Sequence, residues 1–241
     1  MRVDGVQVLT TCDVDANRAK GAAAMVDSYT KTKGCKPTGD FREVAHRDDI
    51  DAVQVATPDH WHILPALEAA KNGKDVFVQK PLSLTIAEGR ALADAVKRYE
   101  RIGQIGSQQR SDTRFRHACE LVRNGRIGRL LSVKVGFGTD PGTTVAPPMP
   151  VPANLDYDMW LGPAPWKPYT ERRVHPEKGY GRPGWLRIAD YGAGMITGWG
   201  AHHMDIAHWG MGMEDSGPIE ISGTADFPTD GIWDVHGAFS I

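Results

Sequence analysis

Between residues 50 and 106 the apolar positions follow two alternating periods. Ala52, Val53, Val55 and Ala56 form a run of strand length, broken by Gln54 and closed by Thr57-Pro58. The run predicts a buried parallel strand. Thr57 is then a helix N-cap and Pro58 the first helical residue, because proline's missing N–H is one of the donors a helix start leaves unpaired anyway. The helix is predicted to stop at Asn72-Gly73, and a second strand, Val76 to Gln79, ends on Lys80-Pro81. Strand, helix and strand at this length form a right-handed βαβ unit whose strand C-terminal ends and helix N-termini face one ligand-binding rim. Thr57–His62 and Gln79–Pro81 are expected to share that rim.

The same patterning extends outward. Val6 to Thr11 predicts a strand ending on Cys12-Asp13-Val14-Asp15, followed by a helix from about Ala16 to Tyr29. Thr30 to Gly39, rich in Lys, Gly and Pro, predicts a loop, and Phe41 to Asp49 a short helix. Thr85 to Glu100 predicts a helix with Ile86, Ala87, Leu92, Ala95 and Val96 on its apolar side, and Ile102 to Gly106 a strand. Strands alternating with helices over short connections imply a parallel sheet covered on both faces, an α/β doubly wound arrangement. Gly106-Ser107-Gln108-Gln109-Arg110 marks the expected crossing into a second domain. There Phe115 to Asn124 is a predicted helix stopped by Gly125, and Leu130 to Phe137 alternates as a half-buried antiparallel strand would. Thr139 to Pro152 is a predicted surface loop, and Asp156 to Pro165 a turn-rich packing element anchored by Trp160. A helix from about Trp199 to Trp209 places His202 and Asp205 on one face and turns His203 about 100° away. Ile219 to Thr224 and Ile232 to Ile241 complete the predicted strands.

Composition narrows the function. A formal charge of −2 with 24% charged residues implies no polyanion surface, so nucleic acid is not an expected partner. Cys12, Cys35 and Cys119 are odd in number and widely spaced, which indicates neither a disulfide framework nor a zinc ribbon. No apolar run reaches membrane-span length and no signal-peptide core is present, so a cytoplasmic location without membrane partners is the expectation. No tight ligand spacing among His60, His62, His202, Asp205 and His208 supports a metal site.

The Thr57-Pro58-Asp59-His60-Trp61-His62 loop and the Gln79-Lys80-Pro81 tripeptide, in this order and spacing, resemble the Gfo/Idh/MocA oxidoreductases. The family usually has Glu where this chain has Gln79. The resemblance implies a nicotinamide-binding Rossmann-type domain over residues 1–108 and an α+β substrate and oligomerisation domain over 109–241 with a partial, mainly antiparallel sheet. It implies homo-oligomerisation through that sheet as an open expectation. A Gly-rich turn leading into a helix with His202, then Asp205 three residues on, resembles the family's catalytic helix. His202 thereby inherits the role of proton-accepting base and Lys80 that of polarising the hydroxyl; without the resemblance, Lys80 is an ordinary solvated lysine and His202 a capped or core histidine. The family often has Asp four residues before this His, where this chain has Gly198.

Cofactor contacts are expected from Asp13, Thr57, Pro58, His60, His62, Gln79, Lys80 and Gln108, and substrate contacts from Arg110, Tyr157, Trp185, His203 and Asp205. An acid closing the second strand of a dinucleotide fold accepts ribose hydroxyls, yet Asp13 or Asp15 can equally cap the following helix. The resemblance implies the ribose role. No basic residue follows Asp13 directly, which favours NAD over NADP, although Arg18 keeps NADP open. Packing is as good a reading of Trp61 and His62 as cofactor orientation.

A complete unit of this fold begins with a strand and a Gly-x-Gly-x-x-Gly turn about 20 residues before the acid. Only twelve residues precede Asp13, so the first strand and turn are expected to be missing, as is the end of the second domain's sheet. Gly136-Phe137-Gly138 opens no helix, and Gly192-Ala193-Gly194 has Thr197 where the third glycine belongs, so neither replaces the turn. The leading expectation is an NAD-dependent oxidoreductase acting on a sugar, polyol or glycoside hydroxyl. The alternatives are NAD-dependent glycoside cleavage by oxidation and elimination, and a non-catalytic truncated relative or half of an assembly.

Overall fold

The computed structural model describes residues 5–31, 33–140, 142, 145–175 and 182–241. Positions 141, 143 and 144 of the predicted 139–152 loop lie outside the described residues. The first half alternates β1 (Thr10–Cys12), α1 (Ala16–Thr30), β2 (Lys36–Thr38), α2 (Phe41–Ala45), β3 (Ala52–Val55), α3 (Ile63–Lys71), β4 (Asp75–Gln79), α4 (Ile86–Arg98) and β5 (Gly103–Gly106). All its strand pairs are parallel, in a two-stranded sheet β1-β2 and a three-stranded sheet β3-β4-β5. Val53 stands opposite Val76, and Val78 opposite Ile105. Ala66, Ala69 and Ala70 are fully buried on α3, so the helix backbone packs closely over Val55, Val76 and Val78.

Several expectations for this half change. Of the run predicted as a buried strand only Val55 is buried, while Ala52 and Ala56 are exposed. The predicted loop at 30–39 contains β2, whose Lys-Pro-Thr sequence has no apolar alternation and pairs on one side only, where a proline is tolerated. Thr57 and Pro58 do not start α3. A 3₁₀ turn over Asp59–Trp61 intervenes, and the α-helix begins at Ile63. On α4, Leu92 is buried but Ile86 and Ala87 face solvent, because the capping box of Thr85 and Glu88 fixes the helix start with its first turn outside the core.

The second half holds α5 (Thr113–Arg123), α6 (Tyr157–Leu161), α7 (Gly194–Gly198), α8 (Gly200–Met211) and the antiparallel pair β6 (Thr224–Ala225) and β7 (Phe239–Ser240). Its core is aromatic: Tyr157, Trp160, Tyr169 and Tyr191 pack with Leu155, Leu161, Val174 and Ile188. The strand expected over Leu130 to Phe137 does not form, and Leu131 is 83% exposed. No described strand pairs with it, and an alternating sequence alone does not make a strand. Of the two terminal strands only the 224–225 and 239–240 pair is realised, leaving Ile219 and Ile221 exposed. Among the described residues, backbone hydrogen bonds tie the halves at two places. The 154–156 strap bonds to the start of α1 (Ala16 N–H to Asn154 O, 2.8 Å; Asp156 N–H to Val14 O, 3.0 Å), and His60 N–H donates to Tyr191 O at 3.2 Å.

Candidate active site

The rim where β3 and β4 end is built by the loop that follows each strand. After β3, the 3₁₀ turn directs His60 and Trp61 onto one backbone oxygen of the second half: His60 Nε2 lies 3.1 Å and Trp61 Nε1 2.9 Å from Trp160 O. Burial pushes the His60 imidazole down to about 4, so it is neutral. His62 is 1% exposed, and its ring spans Pro81 O (Nδ1, 2.7 Å) and Thr57 O (Nε2, 2.9 Å). It fastens the loop after β3 to the loop after β4, which is a positioning task. Gly162 lets Trp61 approach: a Cβ there would meet the indole at 2.1 Å.

Lys80 follows β4. Its N–H donates to the Gln79 side-chain oxygen at 2.8 Å, and the Lys80–Pro81 peptide is cis. Its half-buried ammonium crosses to the second half and donates to Gly198 O at 3.2 Å. Burial lowers the Lys80 pKa, with the nearby Arg182 charge acting in the same direction and Asp59 opposing. His202, on α8, lies close enough to feel the Lys80 charge, and burial and that charge together lower its pKa. No described residue hydrogen-bonds the His202 ring, so it stands as a neutral imidazole able to accept a proton. Lys80 and His202, 122 positions apart in sequence, share one site. Asp59 and Arg182 join them and were not singled out from the sequence; the only signal for Asp59 was its place inside the loop motif.

The other candidates divide. Asp15 caps α1, accepting from Asn17 N–H and Arg18 N–H, whereas Asp13 closes β1 and, among the described residues, accepts only from Asp15 N–H (2.9 Å) through Oδ1. Burial raises the Asp13 pKa. Thr57 and Pro58 are half-buried on the rim, and Gln108 is exposed at the start of a 3₁₀ turn. Arg110 and Asp205 are consumed by each other: two guanidinium nitrogens bind the two carboxylate oxygens, both at 2.8 Å, and Glu214 takes a third. This pairing couples the 108–111 turn to α8. Tyr157 is buried with its hydroxyl donating to Lys167 O, and Trp185 packs against the aromatic core. His203 turns away from Lys80 onto Trp199 O (2.9 Å). Among the described residues no group of three or more His, Cys, Asp or Glu side chains is placed to hold a metal ion, and no helix is long and apolar enough to cross a membrane.

The rim is suited to a polar ligand. Thr57 Oγ1 and Asp59 Oδ2 beyond the end of β3, and Thr197 Oγ1 beside Gly198, are buried without a partner among the described residues, and Asp13 keeps one carboxylate oxygen uncommitted. Buried polar atoms left unmatched in this way favour a hydrogen-bonding occupant.

Comparison with known proteins gives the lineage. Residues 2–107 match the family model described as the oxidoreductase family NAD-binding Rossmann fold, and residues 112–233 match that of the oxidoreductase family C-terminal alpha/beta domain. The chain is 39% identical over 106 residues to the scyllo-inositol 2-dehydrogenase (NAD(+)) of Bacillus subtilis, covering 44% of this chain and 30% of that protein. It is 30% identical over 138 residues to a glycosyl hydrolase family 109 protein of Shewanella putrefaciens, covering 56% of this chain and 30% of that protein. The matched part is thus about a third of the length of these relatives. The crystal structure of an oxidoreductase domain protein from Kribbella flavida shares the fold, with 22% identity, a TM-score of 0.56, and coverage of 85% of this chain and 45% of that one. Two family models covering successive halves, the second matching half of the chain by itself, establish that this chain belongs to the Gfo/Idh/MocA oxidoreductase family.

Proposed function

We propose that this chain acts as an NAD-dependent oxidoreductase on a hydroxyl of a sugar, polyol or glycoside, with residues 1–108 as the cofactor domain and 109–241 as the substrate domain. The observation that carries the reading is the convergence of Lys80 and His202, from opposite halves, beside unpartnered polar atoms at the strand ends. Asp13 is the proposed ribose ligand, and Thr57, Pro58 and Gln79 line the cofactor rim. His60 and His62 hold the rim in shape, and Gln108 is a peripheral contact. A bound nicotinamide supplies the two-electron hydride acceptor. The Lys80 ammonium polarises the substrate oxygen, and the neutral His202 imidazole takes the hydroxyl proton.

Glycoside cleavage without net reduction of cofactor is the second reading. It is supported by Gly198, which offers Lys80 a backbone oxygen and no side chain, and by the hydrolase name of the Shewanella relative.

One experiment separates the readings. NAD is titrated by calorimetry, and the loaded chain is then assayed on sugars and polyols for NADH absorbance and on aryl glycosides for phenol release. The first reading predicts NADH, the second release without NADH, and each predicts loss of its signal by about a hundredfold or more in His202→Ala. Absence of cofactor binding, or binding with neither signal, rejects both for this chain.

A further inference from the structure

Positive charge gathers on the second-half side of the site. Asp140 is 5% exposed and accepts from two arginines: from Nε and Nη2 of Arg182 at 3.2 and 3.0 Å, and from Nε of Arg187 at 3.0 Å. Arg187 is covered on its flat face, its guanidinium lying 4.3 Å from the centre of the Trp233 ring. Arg182 stays open. Its side chain is 30% exposed, and its Nη1 donates to no described residue.

Gly198 brings Arg182 and Lys80 to one place. The Lys80 ammonium donates to Gly198 O at 3.2 Å, and a Cβ on Gly198 would meet Arg182 Nη2 at 3.9 Å. No other described atom outside the neighbouring backbone comes within 4 Å of that position, so there is open space where a side chain would stand, with a guanidinium at its edge. The preceding residue adds Thr197 Oγ1, buried and without a partner among the described residues. Carboxylates are short here. Among the described residues Asp140 is the one acid paired with Arg182 and Arg187, and no acid is paired with Lys80. Asp59 does not fill the deficit: it forms no ion pair with a described residue, and burial lifts its pKa to about 7, which leaves it only partly charged at neutral pH. Three cations facing one carboxylate in a partly buried place favour an anionic occupant.

We propose that Arg182 is a substrate-binding residue and that the substrate is an acidic sugar, whose carboxylate enters the space at Gly198 and is held by Arg182 beside Lys80. This rests on the reading of the site as one that acts on a sugar or glycoside hydroxyl, and it narrows that substrate to uronic acids and their glycosides. Asp140 fixes the plane of the Arg182 guanidinium through two bonds, so the free Nη1 is oriented before the ligand arrives. A charge-assisted bond from that nitrogen holds the acid group, and the Thr197 hydroxyl is the nearby neutral donor. Because Asp140 already occupies the two-nitrogen edge of Arg182, what remains suits a singly charged carboxylate better than a doubly charged phosphate.

The test reads binding and not turnover. Matched acid and neutral sugars (glucuronate with glucose, galacturonate with galactose, mannuronate with mannose) are titrated into the whole chain, with and without NAD, and followed by NMR. At least one acid is expected to bind about tenfold or more tightly than its neutral partner, and Arg182→Gln to bring that ratio to about one. Arg182→Gln also takes a partner from the buried Asp140, so Gly198→Asp provides a second route. It keeps both cations and puts a carboxylate into the space, and it is expected to abolish the preference, whereas Gly198→Asn, of the same size and uncharged, retains it. No acid binding more tightly than its neutral partner, or a preference that survives in either folded variant, overturns the proposal. Tighter binding of glucose 6-phosphate than of every uronate overturns it as well, because the anion held is then a phosphate. A chain that prefers an acid but yields neither NADH nor phenol contradicts the proposed activity and leaves this inference standing; turnover of neutral sugars with no preference for acids does the reverse.

Discussion

At the scale of single residues, the site depends on one missing side chain as much as on those present. Gly162 has φ +53, and a Cβ there would stand 2.1 Å from the Trp61 indole. Gly162→Ala combines backbone strain with a collision in a packed aromatic cluster, so a loss of about 3 kcal/mol or more is expected. Gly125 also has positive φ, +71, but nothing lies within 4 Å of a Cβ there, so Gly125→Ala isolates the backbone part at about 1 kcal/mol. Urea denaturation of the two variants measures the difference, and equal losses would mean that the Trp61 contact contributes nothing. Motif spacing made Lys80 and His202 legible in the sequence, because both sit in short runs with fixed neighbours. Arg182 had no such signal: its contact with Asp140 spans 42 positions, and only the folded chain sets the distance. The pairing of Arg110 with Asp205 had no signal for the related reason that a charge read along the sequence does not reveal the opposite charge it meets.

At the scale of elements, strands and helices with buried faces could be read from the chain, and those without could not. β3, β4 and α3 carry dense apolar positions and occur close to where the pattern put them, whereas β2 has none and the alternating 130–137 segment lacks a partner. The entry to α1 tests how far local capping and long-range packing are joined. Asp15 Oδ1 accepts from Asn17 N–H at 2.9 Å and from Asn154 Nδ2 at 2.8 Å, so one carboxylate both caps the helix and holds the strap from the second half. Asp15→Ala is expected to cost about 2 kcal/mol, the upper end for a cap. Asp15→Asn, which keeps the accepting oxygen, is expected to recover most of it. Thermal denaturation distinguishes the cases, and equal losses for the two variants would show that the negative charge, not the cap, is what α1 requires.

At the scale of the whole molecule, the parallel strands stand as two sheets, with β1 pairing only β2 and β3 pairing only β4 among the described residues. Hydrogen bonds from the 154–156 strap and from the 59–61 turn bind the halves, and the second of these runs through buried histidine. Stability should therefore depend on pH. His60, His62, His175 and His202 all have pKa values lowered by burial, so the unfolded chain binds more protons at these sites than the folded one. Their contribution is complete above the unfolded value near 6.5 and is lost as pH falls; for His60 the window runs from 6.5 to about 4. Within it one fully displaced proton changes stability by roughly 1.4 kcal/mol per pH unit. Asp59 works in the other sense, because its raised pKa makes the folded chain bind the extra proton below about 7 and favours folding as pH falls. Asp13, whose pKa burial also raises, acts in the same sense as Asp59, and four imidazoles against these two carboxyls leave a net decline from pH 7 toward 4. Denaturation free energies at successive pH values should show that decline, with a steeper slope in Asp59→Asn, where one opposing group is gone. A flat profile in the unaltered chain would mean that solvent reaches these imidazoles in the folded state and that the seam between the halves opens more readily than its buried hydrogen bonds indicate.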